Sequence, residues 1–132
     1  MKNLFLAAFA AIALASCSSL SSTKVGTSQP DITNTKWVLA DDVSGKKPTL
    51  NIDSAKINGN SGCNSYFGEL TLDKASGNFV AQRVGATKMA CPNMEVENNY
   101  FSMLNQANKY VVNGTTLELY KDNLLLMKFT KQ

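Results

Sequence analysis

Histidine is absent from this chain of 132 residues. Without it there is no Ser-His or Cys-His nucleophilic pair, no histidine general base and no His-ligated zinc site. Charge is scarce as well: 17% of residues are charged, 13 basic against 10 acidic, for a formal net charge of +3. So small an excess makes no phosphate-tracking surface, which argues against nucleic acid as a partner. No hydrophobic run reaches spanning length either, because the longest stretches from Leu4 to Ala15, well short of the ~20 residues of a transmembrane helix. There are only three prolines and three cysteines. The length allows one compact domain, whose chemistry would rest on carboxylates, thiols or lysines.

What is present is unevenly spread. Met1-Lys2-Asn3 carries one positive charge ahead of the apolar run, and Ser16-Cys17 ends it. That is the charged start and short apolar core of a secretory signal. Its end, Leu14-Ala15-Ser16-Cys17, resembles the lipobox of bacterial lipoproteins, in which the cysteine is diacylated and becomes the first mature residue. Two or three acyl chains on Cys17 suffice for stable anchoring, which one chain alone does not give. Residues 1–16 are therefore expected to be a removed leader. Beyond Cys17 the chain is about 38% hydrophobic, ordinary for a small soluble domain. Residues 17–32 read as a lipidated cysteine and a flexible Ser/Thr-rich tether. Ser18 rather than Asp follows the cysteine, which by resemblance to enteric lipoprotein sorting implies the outer membrane, with the domain facing the periplasm.

Residues 33–132 form the domain. Trp37 and Leu39 share a face of a first strand, Leu50 and Ile52 alternate in a second, and Lys56-Ile57-Asn58 makes a third. Tyr66, Gly68, Leu70 and Leu72 line one side of a fourth, and residues 78–81 and 84–89 read as one broken strand or two closely joined. A helix begins near Cys91-Pro92-Asn93, with Pro92 at its first position and Glu95 and Glu97 complementing its positive end. Met94, Phe101 and Leu104, with Tyr100 beside them, follow at helical spacing as a packing face. Asn113-Gly114 predicts a type I′ hairpin turn. A final strand, apolar on both faces from Leu124 to Phe129, should be central or covered by the helix. The sum is α+β: a curved, mainly antiparallel β-sheet forming a partial barrel around or against one α-helix.

Three segments resemble one family. Gly59-Asn60-Ser61-Gly62-Cys63-Asn64-Ser65-Tyr66-Phe67-Gly68 is similar to its G-x-x-G-C-N-x-Y-x-G signature, and Thr87-Lys88-Met89-Ala90-Cys91 to its T-x-M-A-C box. Residues 95–104 resemble its E-x-x-F-x-x-L helix, followed by a Y-x-V-x-G-x-x-L-x-L segment from Tyr110 to Leu119. This is the META domain of the HslJ-like, heat-inducible lipoproteins. The resemblance implies a small barrel-like sheet with a helix, similar in fold to secretin-pilot lipoproteins, and roles in stress tolerance or virulence with no established reaction. The motif residues it marks are Gly62, Cys63, Asn64, Tyr66, Gly68, Thr87, Met89, Ala90 and Cys91. Phe101 falls six residues after Glu95 and four after Glu97, so either glutamate can correspond to the family's.

With Cys17 acylated, Cys63 and Cys91 remain, and in an oxidising periplasm an even pair suggests a disulfide. The alternative is two thiols that merely pack side by side. A redox role finds no C-x-x-C, although Cys91 at a helix start could carry a depressed pKa. The glycines and asparagines from Asn58 to Gly68 match no nucleotide-binding spacing and serve tight strand reversal. Glu95 and Glu97 are two apart and point to different helix faces, which disfavours paired-carboxylate catalysis. Asp41, Asp42 and Asp53 show no calcium-loop spacing. Lys46, Lys47, Lys128 and Lys131 read as solvated faces and Trp37 as core. No catalytic, metal or cofactor residue is expected. The leading expectation is a non-enzymatic lipoprotein that binds an envelope protein or supports the envelope under stress. The alternatives are a lysozyme- or hydrolase-inhibiting lipoprotein and a thiol-disulfide active periplasmic protein.

Overall fold

The computed structural model describes residues 25–132. The expected leader, Cys17 and the first part of the tether lie outside the described residues. Eight antiparallel strands close into a barrel in sequence order: β1 (Thr35–Leu39), β2 (Thr49–Ile52), β3 (Lys56–Asn60), β4 (Ser65–Asp73), β5 (Asn78–Ala86), β6 (Lys109–Asn113), β7 (Thr116–Lys121) and β8 (Leu124–Lys131). The single helix of the described residues, α1 (Met94–Gln106), connects β5 to β6. The expected curved antiparallel sheet with one helix is thus present and closes as a barrel, with its thinnest seam between β5 and β6, where Asn78 pairs with Lys109.

Alternation builds this core. Trp37, Leu50, Ile52, Ile57, Leu70, Phe79, Tyr110, Leu117, Leu119 and Phe129 all point inward and are buried, as period-two patterning requires. Strand β5 is continuous. Phe67 pairs with Gly85 and Glu69 with Gln82, so one residue of β4 faces two of β5. This bulge, with Arg83 at φ +49°, is what interrupts the alternation between residues 81 and 84.

Four expectations need correction. First, the packing stripe of α1 is Glu97, Tyr100 and Leu104; Met94 and Phe101 are only half-buried, so the stripe is rotated toward the glutamate. Second, Pro92 lies two residues before the first helical residue, and Asn93 is the N-cap, with no side-chain capping bond. Third, Asn113 pairs with Thr116 and only Gly114 has positive φ, +59°. Glycine at the first central position is the type II′ pattern rather than I′. Fourth, β8 pairs with β7 along its length but with β1 only from Phe129 to Lys131, and Leu124 at its start is 65% exposed.

The tether also ends earlier than expected. Ile32 is fully buried and Gln29 nearly so. The Gln29 backbone N–H donates to Lys74 O at 2.8 Å, and its Oε1 accepts the Val112 N–H at 3.0 Å. The Tyr110 hydroxyl donates to Pro30 O at 3.1 Å. Pairing between β5 and β6 consists of Asn78 with Lys109 alone, so this strap satisfies β6 where β5 does not. Residues 29–32 belong to the folded domain for that reason.

An up-and-down barrel with an even strand count places its connections alternately at two poles. The strap, the short turns after β2, β4 and β6, and the C-terminus share one pole. The loops after β1 and β3, the α1 connection and the turn after β7 share the other. These are the strap pole and the helix pole.

Candidate functional site

The two cysteine boxes and the helix segment that the sequence singles out converge on the helix pole around Asn64, whereas the Tyr110–Leu119 segment forms the β6–β7 hairpin, whose turn lies at the strap pole. The Asn64 Nδ2 donates to Glu97 Oε1 at 2.9 Å and to Met89 O at 3.1 Å. Its Oδ1 accepts from Thr87 Oγ1 at 2.9 Å and from the Met89 N–H at 2.7 Å. The Asn64 backbone N–H donates to Glu97 Oε2 at 2.9 Å, and the Ser61 hydroxyl donates to the same oxygen. One amide thus uses its full donor and acceptor capacity to join the β3–β4 loop, the 87–91 segment and the helix.

Glu97 is 6% exposed. Burial raises its pKa, but the hydrogen bonds from Ser61 and Asn64 outweigh that and hold the carboxyl below its usual range. A buried carboxylate is tolerated when its lone pairs are satisfied. Sequence reading assigned Glu97 to helix-end electrostatics. The available signal was its three- and seven-residue spacing to Tyr100 and Leu104, which puts it on the buried stripe.

The remaining motif residues support the same joint. Gly62, at φ +105°, sits where a Cβ would lie 2.9 Å from Val96 Cγ1, so the loop meets the helix closely only with glycine there. Cys63 and Cys91 form a disulfide with Cα atoms 5.9 Å apart, tying the loop to the approach to α1. The Tyr66 hydroxyl donates to Thr49 O at 2.8 Å and lies 2.6 Å from the Tyr100 hydroxyl. Burial pushes the pKa of both phenols up. Gly68 is buried opposite the β5 bulge. Ala90 and Met89 are exposed on the 87–91 segment. Among the described residues no buried side-chain nitrogen or oxygen lacks a hydrogen-bond partner.

Three open depressions are found among the described residues, and one of about 610 Å³ lies at the strap pole, lined by Asp31, Thr33, Ser54, Leu72, Asp73 and Lys74. At the helix pole a cleft of about 420 Å³ runs between the β1–β2 loop and α1, within the ~300–1,000 Å³ of ligand sites. Leu39, Val43, Val96 and Met103 line it apolarly, and Asp41, Asp42 and Glu95 add carboxylates. Asn93 Nδ2 donates to Ser44 O at 2.8 Å and pins the loop to the helix start. On the barrel wall, a groove of about 540 Å³ surrounds Phe67, Asn58 and Arg83. Phe67 is 67% exposed, and its ring covers Gly85, with Cζ 3.2 Å from where a Cβ would stand. Part of its exposure is thus explained by shielding a bare stretch of β5. Asp53 borders this groove, whereas Asp41 and Asp42 border the cleft. Among the described residues no cluster of three or more Cys, Asp or Glu is placed to hold a metal.

The META domain family model matches residues 30–132. Two solved structures share the fold. The NMR structure of a protein from Burkholderia xenovorans is 25% identical, with a TM-score of 0.64 over 76% of this chain and 83% of that one. A second NMR structure is 21% identical, with a TM-score of 0.59 over 74% of this chain and 89% of that one. No curated protein matches the chain.

Proposed function

The chain belongs to the META domain family, and from that premise we propose that it is a non-enzymatic, lipid-anchored envelope protein that presents its helix pole to a protein partner. The carrying observation is the polarity of the barrel. The chain enters at the strap pole, and the cleft and the exposed Met89, Leu124 and Leu125 lie at the opposite one. Acylation of Cys17 at the outer membrane would place the strap pole toward the lipid. The strap is docked from Gln29 onward, so the stretch from Ser18 to Ser28 reaches at most ~40 Å when fully extended. The domain would stay near the bilayer with its helix pole in the periplasm, where a partner or a stress-damaged envelope component is met.

The non-enzymatic reading is supported by how the polar groups are used. Glu97 is committed to the Asn64 joint, the Tyr66 and Tyr100 hydroxyls are bonded to each other within the core, and Cys63 and Cys91 are paired. A thiol-disulfide role would have to use this bond as its oxidised state, without a C-x-x-C motif to support it. The inhibitor reading keeps one favourable observation, the acidic cleft, because lytic hydrolases with basic surfaces would complement it. Labelling with radioactive palmitate tests the anchor: the wild type should incorporate label and sediment with outer membranes, and Cys17→Ala should do neither. A label-free wild type in the soluble periplasm would refute anchoring. A lytic assay with added protein separates inhibition from simple docking.

A further inference from the structure

The cleft between the β1–β2 loop and α1 is built from two elements held in fixed relation. Asn93 bonds Ser44, and Tyr100 anchors the helix to Thr49 O at 3.3 Å. Its depth is apolar, through Leu39, Val43, Val96 and Met103. An apolar lining needs an apolar group to displace its water. Its charge has one sign: Asp41, Asp42 and Glu95 contribute, and no lysine or arginine lines it. Lys47 pairs with Asp42 at 3.0 Å and cancels part of that field. The α1 N-terminus adds roughly half a positive charge. With those two offsets deducted, the cleft still carries a net negative charge of between one and two. The carboxylates do not converge as metal ligands, so the field suits a spread positive charge rather than a bound ion.

We propose that this cleft docks a cationic polypeptide segment of a partner protein, with an apolar side chain seated against Val43 and Val96 and lysines or arginines facing Asp41, Asp42 and Glu95. The proposal deepens the functional reading above by naming the chemistry of its partner. Met89, Leu124 and Leu125 are further exposed hydrophobic residues of the helix pole. Hot-spot anchoring in an apolar pocket, ringed by charge that steers approach, is the general arrangement of such interfaces. The three acidic side chains are exposed, so neutralising them leaves the fold intact.

The test uses the full chain as purified from its envelope in a non-ionic detergent, whatever the state of Cys17, so failure of the anchor does not affect it. Calorimetry titrates it with two synthetic pentapeptides, Arg-Leu-Arg-Leu-Arg and Gln-Leu-Gln-Leu-Gln, against micelles alone as blank. The cationic peptide should bind, and the neutral one should bind at least tenfold more weakly. The triple variant Asp41→Asn, Asp42→Asn, Glu95→Gln should lose roughly tenfold in affinity for the cationic peptide. Raising salt from about 50 to about 500 mM should weaken the wild type and leave the variant nearly unchanged. Thermal melting of the variant serves as the fold control. The proposal is overturned by equal binding of both peptides, by no binding of either, by an unaffected variant, or by carboxylate-dependent binding of calcium chloride with no peptide binding.

Discussion

Replacing Asn64 with alanine removes four side-chain hydrogen bonds at once. The bond to Glu97 Oε1 at 2.9 Å has a charged acceptor, worth about 1.5–3 kcal/mol. The three bonds to Thr87 and Met89 are neutral, at about 0.5–1.5 kcal/mol each. Simple addition overshoots, because the exposed 87–91 segment can recover part of its bonding from water, whereas Glu97, 6% exposed, cannot. The expected loss is about 3–5 kcal/mol, or roughly 12–20 °C in Tm for a domain of this size. The disulfide remains and keeps the unfolded chain restricted, so a folded baseline should survive for measurement. Urea unfolding of the wild type, Asn64→Ala and Asn64→Asp, each oxidised, gives the comparison. Asn64→Asp sets a carboxylate against Glu97 and should be the worse variant at pH 7, recovering part of its deficit near pH 4. A loss below about 1 kcal/mol for Asn64→Ala, or equal behaviour of the two variants across pH, would refute the role of Asn64 as the joint of the helix pole.

Three further outcomes follow from the same geometry. Glu97 has a lowered pKa when folded, so its contribution is complete above its unfolded pKa and is lost as pH falls through the lower folded value. Glu97→Gln should destabilise the protein at pH 7 and flatten the acid limb of a stability–pH curve, whereas an unchanged limb would assign acid sensitivity elsewhere, with Asp31 and Asp73, also lowered, the next candidates. Reducing the Cys63–Cys91 disulfide, whose sequence separation is 28, should cost about 2–4 kcal/mol while far-UV circular dichroism stays barrel-like, since the Asn64 joint is independent of it. Ile32→Ala should cost about 2–5 kcal/mol; a loss under about 0.5 kcal/mol would return residues 29–32 to the tether.

The barrel was legible where the chain alternates cleanly. Trp37 and Leu39, Leu50 and Ile52, and Leu117 and Leu119 each announce an inward face by their spacing alone. Closure was not, because it depends on β8 meeting β1 across nearly the whole sequence, and no local pattern encodes that meeting. The type II′ turn at Gly114 differs from the expected I′ by one residue of register, a choice made by which side chains of β6 and β7 must face inward. Glu97 was misassigned because acidic residues in a first helical turn usually face solvent. Its burial follows from a tertiary partner, Asn64, located 33 residues earlier. The cleft was invisible for a similar reason: Asp41, Asp42 and Glu95 come together only once the β1–β2 loop is pinned to the helix start.

The most direct measurement of the central claim is paired photocrosslinking in the native envelope. A photoreactive amino acid at Val43, in the cleft of the helix pole, is compared with one at Ser54, in the β2–β3 turn of the strap pole. A partner-presenting helix pole predicts a discrete protein adduct from position 43, absent from position 54 and lost on neutralising Asp41, Asp42 and Glu95. Adducts of equal yield from both positions, or a protein adduct from position 54 alone, would contradict it.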